Sequence, residues 1–390
     1  MNELADILSA VSDSHRPQWD GAVLATLVCV DGSSYRRPGA RMLIRPDGAT
    51  LGTLSGGCLE QEIREHCFEW TREGAVFKSF DLRGEREAVF GWGSGCNGMI
   101  GVLLEKTDSR RPLLESMQEL LSRRKAFALA TLFATHGQLQ LPVGTLLFDG
   151  ETINTDLPPP LRDAVLEDAR ASLACGHSRN FTYEILPGMA QVLIEVIKPP
   201  VSLLLFGSST DAMPVAQAAL QLGWSVTVLD KRDPDDVAPR FPPNVRTVEI
   251  ENGTTPQDLI DDQSVAVVMT HNFVDDAAIV ANLLPTPVRY VGLLGGRARS
   301  RKLVGLIQHD QPQLKLGKLH APIGLDLGAL DPQEIALSIV AEILAFIRGR
   351  NGASLRERRG SMHFDSHTIA RHVEATHDFS VTLSRAGIES

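Results

Sequence analysis

Two glycines, Gly56 and Gly57, lead directly into Cys58 at the predicted start of a helix. Apolar residues at spacings of three and four indicate that helix: Leu59, Ile63, Cys67 and Trp70. The first amides of a helix attract anions such as phosphate and lower the pKa of a thiol placed there. Cys58 is therefore predicted to be partly thiolate, beside glycines that let a ligand approach the backbone. The alternative is a glycine turn before a small buried cysteine.

A second glycine-rich segment carries another cysteine, Cys96. The sequence of residues 91–98 is GWGSGCNG, and it leads into an apolar run at 99–104. This much glycine before a strand is typical of a sharp turn or of a backbone that a ligand approaches closely. Two loops that each present one cysteine suggest a two-sided site for an anion or a soft atom. The sequence leaves open whether the loops meet within one protomer or across a dimer.

A basic loop at 31–40 lies between the first predicted strand, at 21–30, and a predicted hairpin at 41–54. The loop holds Arg36 and Arg37 among hydroxyl side chains. Arginines and hydroxyls suit oxyanions such as phosphate. A solvated loop without a ligand is an equal alternative. The hairpin delivers the chain into the first glycine–cysteine segment, so these features lie within one short stretch.

The composition limits which classes of protein are possible. The chain has 390 residues, 43% of them hydrophobic and 22% charged, as expected for a globular protein of two or three domains. A net charge of −10 argues against binding to nucleic acid or to acidic membranes. With no apolar run long enough to cross a bilayer and no secretory leader, a cytoplasmic location is expected. Five scattered cysteines fit a reducing compartment: Cys29, Cys58, Cys67, Cys96 and Cys175.

The pattern of strands and helices predicts a chain in three parts. Residues 1–198 are predicted to form a mixed α+β domain. After Pro199 and Pro200, alternating strands and helices predict a Rossmann-like α/β domain with a doubly wound parallel sheet at 199–350. Residues 351–390 are polar and are predicted to be a mobile or docking tail.

The second predicted domain opens on a unit typical of dinucleotide-binding folds. A predicted strand at 201–206 is followed by Gly207, a helix, a second strand and Asp230. In such folds the acid hydrogen-bonds a ribose of the ligand. Ser209 and Ala212 stand where the second and third glycines of the motif are expected. The pattern therefore supports the fold better than it supports a cofactor.

Two helix starts in the second domain carry polar residues. His271 follows a predicted strand at 265–270, at the edge where open α/β sheets hold their ligands. It is a candidate acid, base or ligand, and the alternative is a capping residue before the helix at 273–284. Further along, the sequence DPQE at 331–334 predicts a helix start by its cap, its proline and its acid.

Eight short motifs occur along the chain in order: GSSYRRPGARM at 32–42, SGGCLE at 55–60, GCNG at 95–98, LGW at 222–224, MTHN at 269–272, YVGLLG at 290–295, PIGLDLG at 322–328 and EIALSI at 334–339. Each motif alone is modest, whereas the ordered set is specific. On these motifs the chain resembles the XdhC/CoxI family, the maturation factors of xanthine dehydrogenase and carbon monoxide dehydrogenase. The family usually has Gly-Ala-Gly where this chain has Gly207, Ser208 and Ser209.

The resemblance implies a fold and a function. The implied fold is a cofactor-handling N-terminal domain followed by a Rossmann-like domain, in a homodimer. The implied function is that of a maturation chaperone with no turnover chemistry of its own. Such a protein binds the molybdenum cofactor (molybdopterin), protects it for sulfuration and delivers it to a xanthine dehydrogenase-type molybdenum hydroxylase. A cysteine desulfurase, which supplies the sulfur, is the second implied partner.

The resemblance also assigns roles to the candidate residues. Cys58 and Cys96 would contact the cofactor as ligands of its metal, because thiolates suit a soft metal centre. Two arginines and two backbone amides would hold its phosphate: Arg36, Arg37, Gly56 and Gly57. A second, nucleotide-like site for a nucleotide or NAD(P) would be lined by Gly207, Asp230 and His271. The alternative function, an NAD(P)-dependent oxidoreductase, would use that second site.

Overall fold

The computed structural model divides the chain into two compact units. The residues that it describes are 2–12, 17–32, 35–55, 58–81, 98–150, 157–251, 253–357 and 368–373. The first unit takes Glu3–Lys198 together with Asp365–Ser390, and the second unit takes Pro199–Phe364 with the first two residues of the chain. The chain thus leaves the first unit after Lys198 and returns to it near its C-terminal end.

Five strands form one sheet of the first unit: β1 (Val23–Gly32), β2 (Arg41–Ile44), β3 (Thr50–Gly52), β4 (Val76–Asp81) and β5 (Gly98–Lys106). Their order is β3-β2-β1-β5-β4, and neighbouring strands are antiparallel. Helix α1 (Asn2–Ser12) precedes the sheet, and helix α2 (Cys58–Trp70) connects β3 to β4. The predicted apolar face of α2 is confirmed, because Leu59, Ile63 and Cys67 are buried against the sheet.

The second sheet of the first unit has five strands: β6 (Phe127–Gly137), β7 (Gly144–Phe148), β8 (Arg179–Ile185), β9 (Gly188–Ile197) and β16 (Ile369–His372). Helix α3 (Thr107–Ser122) leads into this sheet, and helix α4 (Pro159–Cys175) packs on it. Prolines at the start of α4 and Gly176 at its end, with φ of 71°, explain its bounds. The first unit therefore has the mixed α+β structure that the sequence predicts.

The edge strand β16 comes from the segment that the sequence analysis assigns to a polar tail. The sheet order is β16-β8-β9-β6-β7. The pairs within β6–β9 are antiparallel, whereas β16 pairs with β8 in parallel. A short stretch of the C-terminal region thus belongs to the fold of the first unit. Its four residues carry too little periodic signal to be recognised as a strand from sequence.

The second unit contains a six-stranded parallel sheet: β10 (Ser202–Phe206), β11 (Ser225–Asp230), β12 (Arg246–Glu249), β13 (Ser264–Val268), β14 (Tyr290–Leu293) and β15 (Leu319–His320). The order β12-β11-β10-β13-β14-β15 is that of a Rossmann fold. Five helices accompany it: α5 (Ala212–Gln221), α6 (Pro234–Val237), α7 (Phe273–Leu283), α8 (Arg297–Asp310) and α9 (Pro332–Ile347). One face packs against α5 and α9 and the other against α7 and α8, so the predicted doubly wound sheet is confirmed.

Local signals explain where the helices of the second unit begin. The side chain of Asp331 accepts a hydrogen bond from the amide of Glu334 at 2.9 Å, and Glu334 in turn accepts one from the amide of Leu330 at 2.7 Å. This reciprocal capping confirms the helix start predicted at α9.

Within the described part of the chain, none of the helices is both long enough and apolar enough to span a bilayer.

A buried ion pair joins the two sheets of the first unit. Arg41 of β2 donates to Glu195 of β9 at 2.6 and 3.1 Å, and both side chains are only 5% exposed. Arg41 also donates to the carbonyl of Gly39 at 2.9 Å. Removing one partner of such a pair leaves the other charge buried and uncompensated. The packing of the two sheets therefore depends on both residues.

We expect Arg41→Ala to lower the free energy of unfolding of the first unit by about 3–5 kcal/mol, because Glu195 would keep its buried charge without its partner. Denaturant unfolding followed by circular dichroism measures the change. A matched control is Arg123→Ala, which removes an exposed pair with Glu119 whose side chains are 64% and 59% exposed. That variant should lose at most about 0.5 kcal/mol. Equal losses for the two variants would contradict the prediction.

Candidate functional site

Three strand termini lie at one end of the first sheet. Gly32, at the end of β1, pairs with Gly98, at the start of β5. Asp81, at the end of β4, is level with the next residue of β5. The end of β1, the end of β4 and the start of β5 therefore lie at the same end of the sheet. The basic loop at 31–40 begins at the end of β1.

Helix α2 lies in a crossover connection, because β3 and β4, which it joins, both run in the same direction as β1. Strand β3 ends at Gly52, which is level with Met42 of β2 and therefore with Ala25 of β1. Cys58 is the first residue of this helix, as predicted. Gly56, Gly57 and Cys96 lie outside the described residues. Gly98, two residues after Cys96, lies at the end of the sheet where β1 ends and the basic loop begins.

A direct contact joins the basic loop to the segment before Cys58. The guanidinium of Arg36 donates to Oγ1 of Thr53 at 2.9 Å and pairs with the carboxylate of Glu3 in α1. The same carboxylate accepts a hydrogen bond from the amide of Thr53 at 2.7 Å. Arg37 lies exposed in the same loop. The structure therefore brings Arg36 next to the chain that leads into the cysteine helix.

The donors around Glu3 are suited to an oxyanion. A guanidinium and a backbone amide converge on its carboxylate, and both groups also bind phosphate in proteins. Sequence reasoning missed Glu3, because its partners lie 33 and 50 residues away along the chain. A phosphate would meet the same donors if it replaced this carboxylate.

Glu60 holds the segment before α2 in place. Its Oε1 accepts hydrogen bonds from the amides of Leu54 at 2.8 Å and of Ser55 at 3.0 Å. The carboxylate therefore shapes the chain that enters the helix and brings a negative charge to the helix start. Sequence reasoning did not single out this residue, although an acid in the first turn of a helix is a recognisable signal.

Three other cysteines are described, and they differ in their environments. Burial raises the pKa of Cys29 in β1 and of Cys67 in α2 to about 11. Both are therefore thiols near neutral pH, which makes them poor metal ligands. Cys175 is exposed at the end of α4. The described residues contain no group of three or more metal-binding side chains placed to hold an ion.

In the second unit, Asp230 is occupied by its own neighbours. Its carboxylate accepts hydrogen bonds from the amide and hydroxyl of Ser208 at 2.8 and 2.7 Å, and from the backbone amide and Nε of Arg232 at 3.1 Å each. Burial alone would raise the pKa of Asp230, but these hydrogen bonds outweigh it and lower the pKa to about 2. The residue predicted to bind a ribose is thus engaged within the protein.

His271 lies beside the turn after β10. Its Nε2 is 3.2 Å from Oγ of Ser209 and 3.6 Å from a carboxylate oxygen of Asp211. Its φ of 62° is unusual for a residue other than glycine, and such strain is common at functional sites. The capping alternative does not apply, because Asn272 caps α7 through the amides of Val274 and Asp275.

The predicted residues of the second unit therefore cluster at the carboxyl ends of neighbouring strands. Gly207 follows β10 with φ of 107°, Asp230 ends β11, and His271 follows β13. Sequence reasoning missed a second cluster at this edge. There the buried carboxylate of Asp276 accepts from Oγ1 of Thr270 at 2.6 Å and from Arg299 at 2.7 Å. These contacts fix the strand end that carries His271.

Comparison with known proteins identifies the family. Residues 203–343 match the XdhC Rossmann domain, and residues 18–81 match the XdhC and CoxI family. The chain is 31% identical over 330 residues to a probable xanthine dehydrogenase subunit from Bacillus subtilis, covering 83% of this chain and 92% of that protein. The chain belongs to the XdhC and CoxI family. This membership confirms the resemblance seen in the ordered motifs.

Two further relatives of this XdhC and CoxI protein span most of its length. It is 25% identical to the Escherichia coli molybdenum cofactor insertion chaperone PaoD, over 83% of this chain and 82% of PaoD. Its fold matches the crystal structure of a protein described as a xanthine dehydrogenase from Bacillus halodurans, with a TM-score of 0.70 and 27% identity. That match covers 90% of this chain and 98% of the other.

We expect the stability gained from Asp230 to depend on pH. Its folded pKa of about 2 lies below the ordinary value of 3.8, so the ionised carboxylate stabilises the protein above about pH 4 and this contribution is lost as the pH falls towards 2. Asp230→Asn should therefore lower the melting temperature most at pH 5–7, with a difference from wild type that narrows at about pH 3.

A second variant checks the cause of this shift. Arg232→Gln removes donors to Asp230, so it should raise the pKa of Asp230 and move the narrowing to higher pH. Thermal unfolding followed by circular dichroism between pH 3 and pH 7 measures both effects. A difference between wild type and Asp230→Asn that is constant with pH would contradict the prediction.

Proposed function

We propose that this XdhC and CoxI protein is a maturation chaperone for a molybdenum enzyme. It holds the molybdenum cofactor as cargo, protects it and delivers it to a xanthine dehydrogenase-type molybdenum hydroxylase. The observation that carries the proposal is the contact between Arg36 of the basic loop and Thr53, in the chain that leads into α2 at Cys58. The names of two relatives support it, since one is a molybdenum cofactor insertion chaperone and the other is a probable subunit of xanthine dehydrogenase.

The phosphate end of the cargo is assigned to the basic loop and the helix start. Arg36 and the amide of Thr53 already hold a carboxylate, that of Glu3, so their chemistry suits an oxyanion. Phosphate carries more negative charge than a carboxylate and therefore competes well for a guanidinium. Arg37 and the amides of the two glycines before the helix would complete the site.

The metal end of the cargo is assigned to Cys58 and Cys96. A helix start lowers the pKa of a thiol, which favours the thiolate that binds a soft metal. Of the three cysteines with described side chains, Cys29 and Cys67 are unsuited by their raised pKa values of about 11. The phosphate donors near Thr53 and a thiolate at Cys58 would then hold opposite ends of one elongated ligand.

The wider setting follows from the same proposal. A cofactor held by its phosphate and its metal would be shielded from solvent while a cysteine desulfurase provides the terminal sulfur. We place the protein in the cytoplasm, as a homodimer, with the client enzyme as its partner. Its own role would be to bind and transfer, without a catalytic cycle of its own.

An NAD(P)-dependent oxidoreductase is the competing function. It would need the carboxylate of Asp230 for a ribose and the turn at Ser208 for a pyrophosphate. Asp230 accepts hydrogen bonds from Ser208 at 2.7 and 2.8 Å and from Nε of Arg232 at 3.1 Å, and Arg232 also donates to the hydroxyl of Ser208. A dinucleotide would have to break these hydrogen bonds before it made its own. The geometry therefore favours a second unit that binds dinucleotides weakly.

The cofactor proposal predicts that both thiols are needed for binding. Freshly released molybdenum cofactor is incubated anaerobically with the protein, and pterin fluorescence and molybdenum are measured after gel filtration. Wild type should retain both. Cys58→Ala and Cys96→Ala should each retain at least about tenfold less metal, since even the groups that support a metal ligand typically contribute that much.

Cys175→Ala is the matched control, because it removes an exposed thiol from α4, outside the proposed site. It should bind like wild type. The proposal fails if folded wild type retains no cofactor, or if Cys175→Ala reduces binding as much as the two other substitutions.

Calorimetry with NAD, NADP and CTP separates the two functions. The internal hydrogen bonds of Asp230 predict dissociation constants weaker than about 1 mM for the dinucleotides. Arg232→Ala, which removes donors from that carboxylate, should strengthen binding of NAD relative to wild type. Micromolar binding of NAD or NADP to wild type, together with oxidation of a substrate, would favour the oxidoreductase instead.

A further inference from the structure

The outer edge of β8 carries a strand that is far from it in sequence. Ile369–His372 pairs in parallel with β8, so that Ile369 lies beside Phe181 and His372 beside Glu184. The amide of Val373 extends the pairing by donating to the carbonyl of Glu184 at 2.9 Å. Without this segment, β8 would be an edge strand with a row of unpaired amides and carbonyls.

The segment is recognised by its side chains as well as by its backbone. Ile369 and Val373 pack against the core between the second sheet and α4. Arg371 lies between them on the same face and pairs with the carboxylate of Asp168 in α4, with Nε 3.1 Å from Oδ1. Because alternate residues of a strand share a face, the inward pattern is apolar, arginine, apolar.

Asp168 makes this position selective for a basic residue. Its side chain is only 4% exposed, and its second oxygen accepts a hydrogen bond from the hydroxyl of Tyr183 at 3.0 Å. Burial and the neighbouring Asp168 raise the pKa of Tyr183, so the phenol stays protonated and donates. If another residue replaced Arg371, the carboxylate of Asp168 would remain buried but would have lost its positively charged partner. An occupant without a basic residue is therefore strongly disfavoured.

The outward side of the strand contributes little. His372 is largely exposed, and its Nδ1 lies 3.6 Å from a carboxylate oxygen of Glu184 that is itself exposed. Exposed pairs at this distance contribute little to stability. Recognition therefore rests on backbone pairing, on two apolar side chains and on one arginine.

We propose that the edge of β8, together with Asp168, is a strand-binding site for an extended peptide of pattern apolar-x-Arg-x-apolar. Residues 369–373 of the same chain are its resident occupant. Edge strands are a common docking mode for extended peptides, in which backbone hydrogen bonds give affinity and alternate side chains give specificity. The resident segment follows the second unit in the sequence, so the last strand of this sheet comes from a part of the chain that is distant from the other four. This site is independent of the proposed cofactor site.

The test uses a fluorescein-labelled peptide with the sequence SHTIARHVEA, residues 366–375. In the full chain, Ile369→Asp combined with Arg371→Ala weakens the resident strand. The peptide should bind this double variant and show no binding to wild type at the same concentration, because the resident strand fills the site. Fluorescence anisotropy measures both.

Peptide variants test the specificity. Replacing the arginine of the peptide by alanine should weaken binding at least about tenfold, because the bond to a buried carboxylate is charge-assisted. Replacing its second histidine, which corresponds to His372, by alanine should change binding less than about twofold. The inference is overturned if the folded double variant binds no peptide, or if it binds the arginine and alanine peptides equally.

A milder variant keeps the inference testable if the double variant does not fold. Asp168→Asn preserves the shape of the side chain and removes its charge. In the full chain it should speed amide hydrogen exchange at 369–373, measured by mass spectrometry, whereas His372→Ala should leave exchange in β8 and β9 unchanged. Unchanged exchange at 369–373 in Asp168→Asn would overturn the inference.

Discussion

A strand that runs parallel to another in the same sheet must be reached by a crossover, and this constraint organises both units. A crossover helix begins where the preceding strand ends, so helix starts collect at the carboxyl edge of a sheet. In the second unit, the carboxyl ends of β10, β11 and β13 therefore bring together Gly207, Asp230 and His271. In the first sheet of the first unit, neighbouring strands are antiparallel, but β3 and β4 run in the same direction. The chain between them therefore crosses back along the sheet, and it contains the helix that starts at Cys58.

Buried carboxylates that meet arginines from distant parts of the chain hold the first unit together. Glu195 meets Arg41, and Asp168 meets Arg371. Each pair joins elements that are not neighbours in a sheet. Because a buried charge without its partner is strongly unfavourable, these pairs select one arrangement of sheets, helices and the C-terminal strand. Apolar packing supplies most of the stability, and the ion pairs supply specificity.

What the sequence predicts well is what short stretches of chain determine. The start of α2 at Cys58, the strand–turn–helix–strand unit that ends at Asp230, and the cap at Asp331 depend on neighbours within a few residues or on one periodic pattern. The doubly wound sheet follows from alternation of such units. The family motifs add a further signal, because their order along the chain is specific although each motif alone is modest.

What the sequence does not predict is which distant residues meet. Asp168 and Arg371 are 203 residues apart, and Arg36 is 33 residues from Glu3. Each of these charged residues, taken alone, is typical of a solvated surface. The strand at 369–372 is missed for the same reason, because its identity depends on the edge of β8 rather than on its own four residues.

The two candidate anion sites of this protein differ in how firmly a carboxylate of the protein itself is bound there. Asp230 is bound by donors from its own turn and by Arg232, and its pKa of about 2 reflects how strongly those donors favour the charge. Glu3 reaches its donors from α1, and its side chain remains 25% exposed. An incoming oxyanion would have to displace a tightly held carboxylate in the second unit, but only a partly solvated one in the first. Under the proposed function, displacement of the resident carboxylate is therefore expected to be easier beside the cysteine helix, where the cargo would have its phosphate end.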